Sequence, residues 1–288
     1  MYVIDVLGVH VPLNNSIYSI LNGCLSGPEI TYVRSAKSKF FYTQKILTSD
    51  TLFLNSSFGT MMLIWFFSCF SKYRTHIVHH NTAFRASDRL SKKILKSLFF
   101  RFTNTIGIFL SREAKCFHIK KFGVSAIYCP HPLLEDEVRC YKHEIALVVG
   151  SVNKPDSDLY QSLSNISVLL ISNNKRLRKY ARKFILFRRI QNQRRFVRGA
   201  KYLICDQDMT KNGVSGWVYD VLAAGGTIFY GEIQDKQTLM TFFPESVLPI
   251  EYLFSNTPKV GIRQEERRGY QEFCTKKWCK LLEKPGII

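Results

Sequence analysis

The feature that leaves this chain fewest folds is an alternation. Short runs rich in β-branched and aromatic residues take turns with segments of helix length, and they do so in two series. In the first series the strand-like runs are Tyr2–Leu7, Glu29–Val33, Thr51–Asn55, Thr75–His79, Thr105–Leu110 and Ser125–Cys129. Helix-like segments fall between them at Ser16–Leu25, Lys37–Leu47, Gly59–Ser71, Ser87–Phe102 and Arg112–Phe122. Pro130-His131-Pro132, followed by acidic Glu135-Asp136-Glu137, breaks the periodicity. A second series opens at Ile145–Val149 and runs through Val168–Ile171, Phe184–Phe187, Tyr202–Cys205, Thr227–Tyr230 and Val247–Ile250. Repeated βα units require parallel sheets covered by helices. Two series joined at a proline break therefore predict two Rossmann-like domains, and 288 residues suffice for both. The expected division is 1–135, 136–262, and a closing helical segment, 263–288, with its helix at Arg263–Glu283.

Within the second series, Lys211–Gly231 reads KNGVSGWVYDVLAAGGTIFYG. Gly213 and Gly216 frame a polar turn, a helix-like run follows, and Gly225-Gly226 ends it before the strand-like Thr227–Tyr230. A helix N-terminus approached by glycines offers unpaired N–H groups and the positive end of a dipole, which suits a phosphate. Asp220 lies inside the same helix, where a carboxylate could reach ribose hydroxyls. The segment is a nucleotide-diphosphate site in outline.

This segment resembles the donor-binding motif of the GT-B glycosyltransferases, the retaining family 4 enzymes in particular. In that motif two acidic positions, eight apart, flank a glycine-containing turn before a helix ending in Ala-x-Gly. Asn212 stands at the first acidic position, Asp220 at the second, and Ala223-Ala224-Gly225 at the helix end. Phe109–Pro132, FLSREAKCFHIKKFGVSAIYCPHP, resembles the family's passage into its second domain. Val148–Lys154, VVGSVNK, resembles the strand, glycine and basic residues that clamp the diphosphate, with Ser151 where an arginine is usual. Gly8-Val9-His10 stands where the acceptor loop commonly has two adjacent glycines.

The resemblance implies an α/β GT-B fold, two Rossmann-like domains facing a cleft, with the C-terminal helix crossing back. It implies donor binding by Lys154, Gly213, Ser215, Gly216 and Asp220, with Asn212, facing the transferred sugar, as a catalytic residue. No cofactor is implied beyond the nucleotide-diphosphate sugar itself, UDP- or GDP-linked. No metal is implied either, although Asp206-Gln207-Asp208 approaches an Asp-x-Asp motif. Cationic side chains and helix N–H groups would stabilise the leaving diphosphate instead.

His79-His80-Asn81 directly follows an apolar strand, and in open α/β sheets ligands bind at that edge. The resemblance places a histidine there beside the donor sugar, a role assigned to His80 as a catalytic residue. His79, Asn81 and His10 are acceptor-side candidates. His131, between prolines, reads as a linker residue.

Lys and Arg number 41 against 22 Asp and Glu, a net charge of +19. Such a field draws anions of any kind: nucleic acid, anionic lipid or nucleotide-sugar phosphates. Lys175–Lys201 holds twelve Lys or Arg and no acid, which reads as a solvated basic face or a lipid- or phosphate-facing surface. Nucleic-acid binding would need accessible aromatics, and Phe184, Phe187 and Phe196 occupy core-like positions. Gly59–Ser71 is apolar, and Ser87–Phe102 interleaves Arg89, Lys92, Lys93, Lys96 and Arg101 with apolar residues, so a basic interfacial helix on an anionic membrane is expected. Eight scattered cysteines without a Cys-x-x-Cys pair predict reduced thiols and no disulfide framework. The N-terminus reads as a core strand without a signal peptide. The longest apolar run, Phe58–Phe70, is too short to span a bilayer.

The expected activity is transfer of a sugar from a nucleotide donor to a lipid-linked oligosaccharide in surface-polysaccharide assembly. The setting would be the cytoplasm, peripheral on the inner face of the plasma membrane. The alternatives are a nucleotide-sugar epimerase of the same fold and a non-enzymatic basic phosphate- or nucleic-acid-binding protein.

Overall fold

The computed structural model describes residues 1–7, 11–24, 30–34, 38–55, 58–79, 90–102, 104–133, 143–148, 169–172, 175–180, 183–186, 193–206, 216–233, 235–255 and 264–282. They form two compact units. The first comprises Met1–Pro132 and Glu272 onward; the second comprises Leu133–Met209 and Ser215–Gln271.

The first unit is a six-stranded parallel sheet. Its strands are β1 (Tyr2–Asp5), β2 (Thr31–Arg34), β3 (Thr51–Asn55), β4 (Thr75–His79), β5 (Ile106–Phe109) and β6 (Ala126–Tyr128), in the order β2-β1-β3-β4-β5-β6. Helices α1 (Val11–Gly23), α2 (Lys39–Thr48), α3 (Phe58–Ser68), α4 (Leu90–Phe102) and α5 (Arg112–Phe122) connect consecutive strands. The step from β1 to β2 goes one way along the sheet and every later step goes the other. Right-handed crossovers therefore place α1 on one face and α2 to α5 on the opposite face.

Local chemistry explains why these segments take these shapes. β4 is buried along its whole length, the signature of a central parallel strand covered on both sides. Between sheet and helices, Ile4, Phe53 and Ile77 pack with Tyr42, Ile46, Ile64, Trp65 and Phe122. α5 has a cap at each end. Ser111 accepts the Ala114 N–H at 3.1 Å, and Gly123 closes the helix at φ 63°. Glu113 in its first turn and Lys120 and Lys121 in its last complement the helix dipole.

The second unit carries β7 (His143–Val148), β8 (Leu169–Ser172), β9 (Lys183–Leu186), β10 (Ala200–Asp206), β11 (Thr227–Glu232) and β12 (Val247–Pro249). Their order is β12-β11-β10-β7-β8-β9, again all parallel. A short 3-10 helix (Lys175–Tyr180) joins β8 to β9. Helices α6 (Gln193–Arg198), α7 (Gly216–Ala223), α8 (Lys236–Phe242) and α9 (Tyr252–Ser255) follow. The last helix, α10 (Gln264–Cys279), contributes its first half to the second unit and its remainder to the first.

Two expectations change here. Cys24 and Cys279 form a disulfide, although reduced thiols were expected throughout. The end of α10 reaches the end of α1 with the two Cα atoms 5.6 Å apart, a pairing hidden by a separation of 255 positions. His131 lies where the main stretch of the first unit ends, at Pro132. It is buried, its Nδ1 is 2.8 Å from the Pro132 carbonyl, and Trp278 of α10 donates to the neighbouring Pro130 carbonyl at 3.0 Å. One cation expected on the outer face of α4 is not there: Lys96 is buried, whereas Arg101 is exposed and the Lys92 side chain lies outside the described residues.

Candidate functional site

In a doubly wound sheet the binding crevice opens at the carboxyl ends of the two adjacent strands from which the connections diverge. In the second unit those strands are β7 and β10, which pair directly. The stretch after β7 carries Lys154; the stretch after β10 carries Asn212, Gly213 and Ser215, and then Gly216 begins α7. In chain order the two halves of the expected donor motif follow these two paired strands. Lys154, Asn212, Gly213 and Ser215 themselves lie outside the described residues.

The described part of the motif has a definite geometry. α7 runs from Gly216 to Ala223 and buries Val218, Tyr219, Asp220, Val221 and Leu222. It ends on the glycine pair. Gly225 takes φ 88° and donates to the Leu222 carbonyl at 3.1 Å, and Gly226 donates to the Val221 carbonyl at 2.9 Å. A Cβ on Gly226 would lie 2.6 Å from Val221 Cγ1 and 2.7 Å from the Ala200 carbonyl oxygen. The second glycine is therefore what lets α7 turn straight into β11 against β10.

Asp220 is 4% exposed. Its Oδ1 accepts the Nε–H of Arg194, on α6, at 2.8 Å. The sequence leaves the run that holds Arg194 as a solvated basic face or a lipid- or phosphate-facing surface; Arg194 forms an ion pair with the donor-motif acid. Arg198, one turn further along α6, is also buried. At least two cations of the basic run thus point inward. The signal was present in their spacing, because residues four apart share a helix face.

At the corresponding edge of the first unit, His79 ends β4. Its ring is buried and stacks on Phe109 at 4.9 Å between centroids, and Phe109 stacks on His118 at 4.2 Å. Gly107 makes room for this, since a Cβ there would meet Phe109 Cε2 at 2.8 Å. His79 therefore forms part of the wall beneath this edge. His10, His80 and Asn81 lie outside the described residues.

The first unit holds a polar group that sequence reading passed over. Asp5, the last residue of β1, is fully buried and accepts from Asn14 Nδ2 of α1 at 2.8 Å. Burial and the Asp5 charge together hold the phenols of Tyr32 and Tyr42 above their ordinary range. A lone carboxylate in the apolar run Tyr2–Leu7, at the strand where connections diverge, was the available signal.

No family model matches the chain, and none of the curated proteins does. Solved structures do match. Anabaena Alr3699/HepE in complex with UDP and glucose aligns with a TM-score of 0.59 at 9% identity, over 96% of this chain and 95% of that one. Its complex with UDP gives 0.58 at 9% identity over the same shares. Its complex with UDP-glucose gives 0.54 at 9% identity, over 97% and 92%. The chain shares the fold of that protein: α/β of the GT-B type, built on six-stranded parallel sheets.

Proposed function

We propose that this chain is a glycosyltransferase that moves a sugar from a nucleotide-diphosphate donor to a lipid-linked oligosaccharide. The observation that carries this reading is positional. Two stretches resembling a donor-binding motif, separated by some sixty residues, follow in chain order the paired strands β7 and β10. A shared fold with a protein crystallised with UDP and UDP-glucose supports the donor class and favours a uridine nucleotide over a guanosine one.

In this reading Lys154 and the N-terminal N–H groups of α7, with Gly213, Ser215 and Gly216, hold the diphosphate and stabilise it as it leaves. Asp220, oriented by Arg194, takes the ribose hydroxyls. Asn212 and His80 face the transferred sugar, while His10, His79 and Asn81 belong to the acceptor side. Transfer proceeds with retention of configuration and feeds surface-polysaccharide assembly on the inner face of the plasma membrane.

Titration calorimetry with UDP, GDP and UDP-glucose tests the donor claim. Saturable binding of a uridine nucleotide, weakened by Asp220→Ala with the fold retained, is the expected result. Absence of any nucleotide binding at millimolar concentration would remove the donor site.

A further inference from the structure

Helix α4 is turned with its apolar side to solvent. Leu90, Ile94 and Leu98 recur at every fourth position and are 74%, 52% and 51% exposed, whereas Lys96 is 6% exposed. A single exposed leucine needs no explanation; a stripe of three along two turns, with a lysine buried instead, does. Neighbouring elements also expose large apolar side chains. α5 packs against α4 and exposes Phe117 and Ile119, and on the same side of the sheet α2 exposes Phe40 and α3 exposes Phe66.

Charge identifies the occupant. Helices α2 to α5 together carry ten Lys and Arg and one acid, Glu113. Among the described ones, Lys39, Arg101, Arg112, Lys120 and Lys121 are exposed. A second copy of this chain would bring two cationic faces together. An anionic bilayer would neutralise them while accepting the apolar side chains below its headgroups.

We propose that the outer face of α2 to α5 is a docking surface for anionic lipid, with Leu90, Ile94 and Leu98 as its inserted residues. This deepens the function proposed above and rests on it for purpose, because a lipid-linked acceptor has to be met at a membrane surface. The contact is apolar at its centre and electrostatic at its margin, which differs from a purely basic patch. Added salt therefore weakens binding without abolishing it.

The test is co-sedimentation of the full chain with phosphatidylcholine vesicles and with vesicles that also contain phosphatidylglycerol. The wild type should bind the anionic vesicles strongly and the neutral ones weakly. Leu90→Ser/Ile94→Ser/Leu98→Ser should lower partitioning by about tenfold or more, with circular dichroism and UDP-induced thermal stabilisation unchanged. Lys120→Glu/Lys121→Glu, away from the stripe, should remove part of the salt-sensitive binding. Three results would overturn the proposal: wild type that ignores anionic vesicles, a triple variant that binds them like wild type, or a wild-type dimer that the triple variant converts to monomer. If UDP stabilises neither protein while the triple variant still loses vesicle binding, the docking surface stands and the donor-site reading fails.

Discussion

Arg194 donates its Nε–H to Asp220 Oδ1 at 2.8 Å, so the most basic run of the chain is fastened to the acid of the donor motif. Both side chains are largely withdrawn from solvent, at 18% and 6% exposure. Removing one partner of such a pair leaves the other's charge desolvated, which costs more than the pair contributes. Arg194→Met should destabilise the second unit by about 3 kcal/mol, and Arg194→Met/Asp220→Leu should recover part of that loss. Urea unfolding of the single and double variants measures it. Equal stability of Arg194→Met and wild type would mean that the pair adds nothing net.

The same pair separates two roles of Asp220. If Arg194 only orients the carboxylate, Arg194→Met should weaken binding of uridine and of UDP by the same factor. Loss of UDP affinity alone would put the guanidinium on the diphosphate. Calorimetry with both ligands makes the distinction.

Gly225 and Gly226 are adjacent but act for different reasons. Gly225 supplies a positive φ, and Gly226 supplies space beside Val221 and the Ala200 carbonyl. Gly226→Ala should cost about 1–3 kcal/mol, because backbone on one side of the contact cannot yield. Gly225→Ala should cost about 1–2 kcal/mol through strain at that φ. Gly231→Ala, with nothing within 4 Å of the added Cβ, is the internal control and should be near neutral. Thermal melts of the three variants rank them; a Gly226→Ala melt equal to that of Gly231→Ala would contradict the packing argument.

Much of the fold was legible because parallel strands buried on both faces read as short, dense apolar runs. Each of the twelve expected strand positions coincides with a strand among the described residues. The C-terminal end of α7 was equally legible, since only glycine fits that turn. What sequence reading missed depends on the third dimension. Cys24 and Cys279 are paired by the path of α10, and nothing in their spacing hints at it. Lys96 is buried and Leu90 exposed on a helix whose composition would allow either orientation, so only packing against the sheet decides. Arg194 looked like one more surface cation because its partner lies 26 positions away on another helix.

The Cys24–Cys279 disulfide closes a loop of nearly the whole chain and ties α10 to the first unit. Crosslinking so long a loop restricts the unfolded ensemble strongly, and stabilisation of about 2–5 kcal/mol is expected. Under denaturing, non-reducing conditions two of the eight cysteines should be withheld from a thiol reagent. Cys24→Ser/Cys279→Ser should melt at a lower temperature than the oxidised wild type and should match the wild type in reductant. Full titration of every thiol without reductant would show that the bond does not form in solution.

Two histidines make the first unit acid-sensitive. Burial, assisted by Arg74 and opposed by Asp50, pushes the His76 imidazole from its ordinary 6.5 down to about 4. Burial does the same to His118, to about 4, against the hydrogen bond to Ala114 and with Lys121 acting in the same sense as burial. His118 Nδ1 lies 2.6 Å from the Ala114 carbonyl oxygen, so the neutral ring carries its proton on Nδ1 and donates it there. In the unfolded chain both rings take up a proton as pH falls through 6.5, while the folded rings resist until about pH 4. The unfolded state therefore binds more protons across that interval, and stability must fall as pH drops from 6.5 to 4. Each ring contributes on the order of 3 kcal/mol to that loss, and above pH 7 neither contributes any slope. His118→Phe keeps an aromatic ring next to Phe109 and removes one titration. Its stability at pH 7.5 should stay within about 1 kcal/mol of wild type, with a visibly shallower decline between pH 6.5 and 4. Denaturant unfolding followed at half-unit pH intervals reads both slopes, and parallel curves for variant and wild type would show that His118 is not a source of the acid sensitivity.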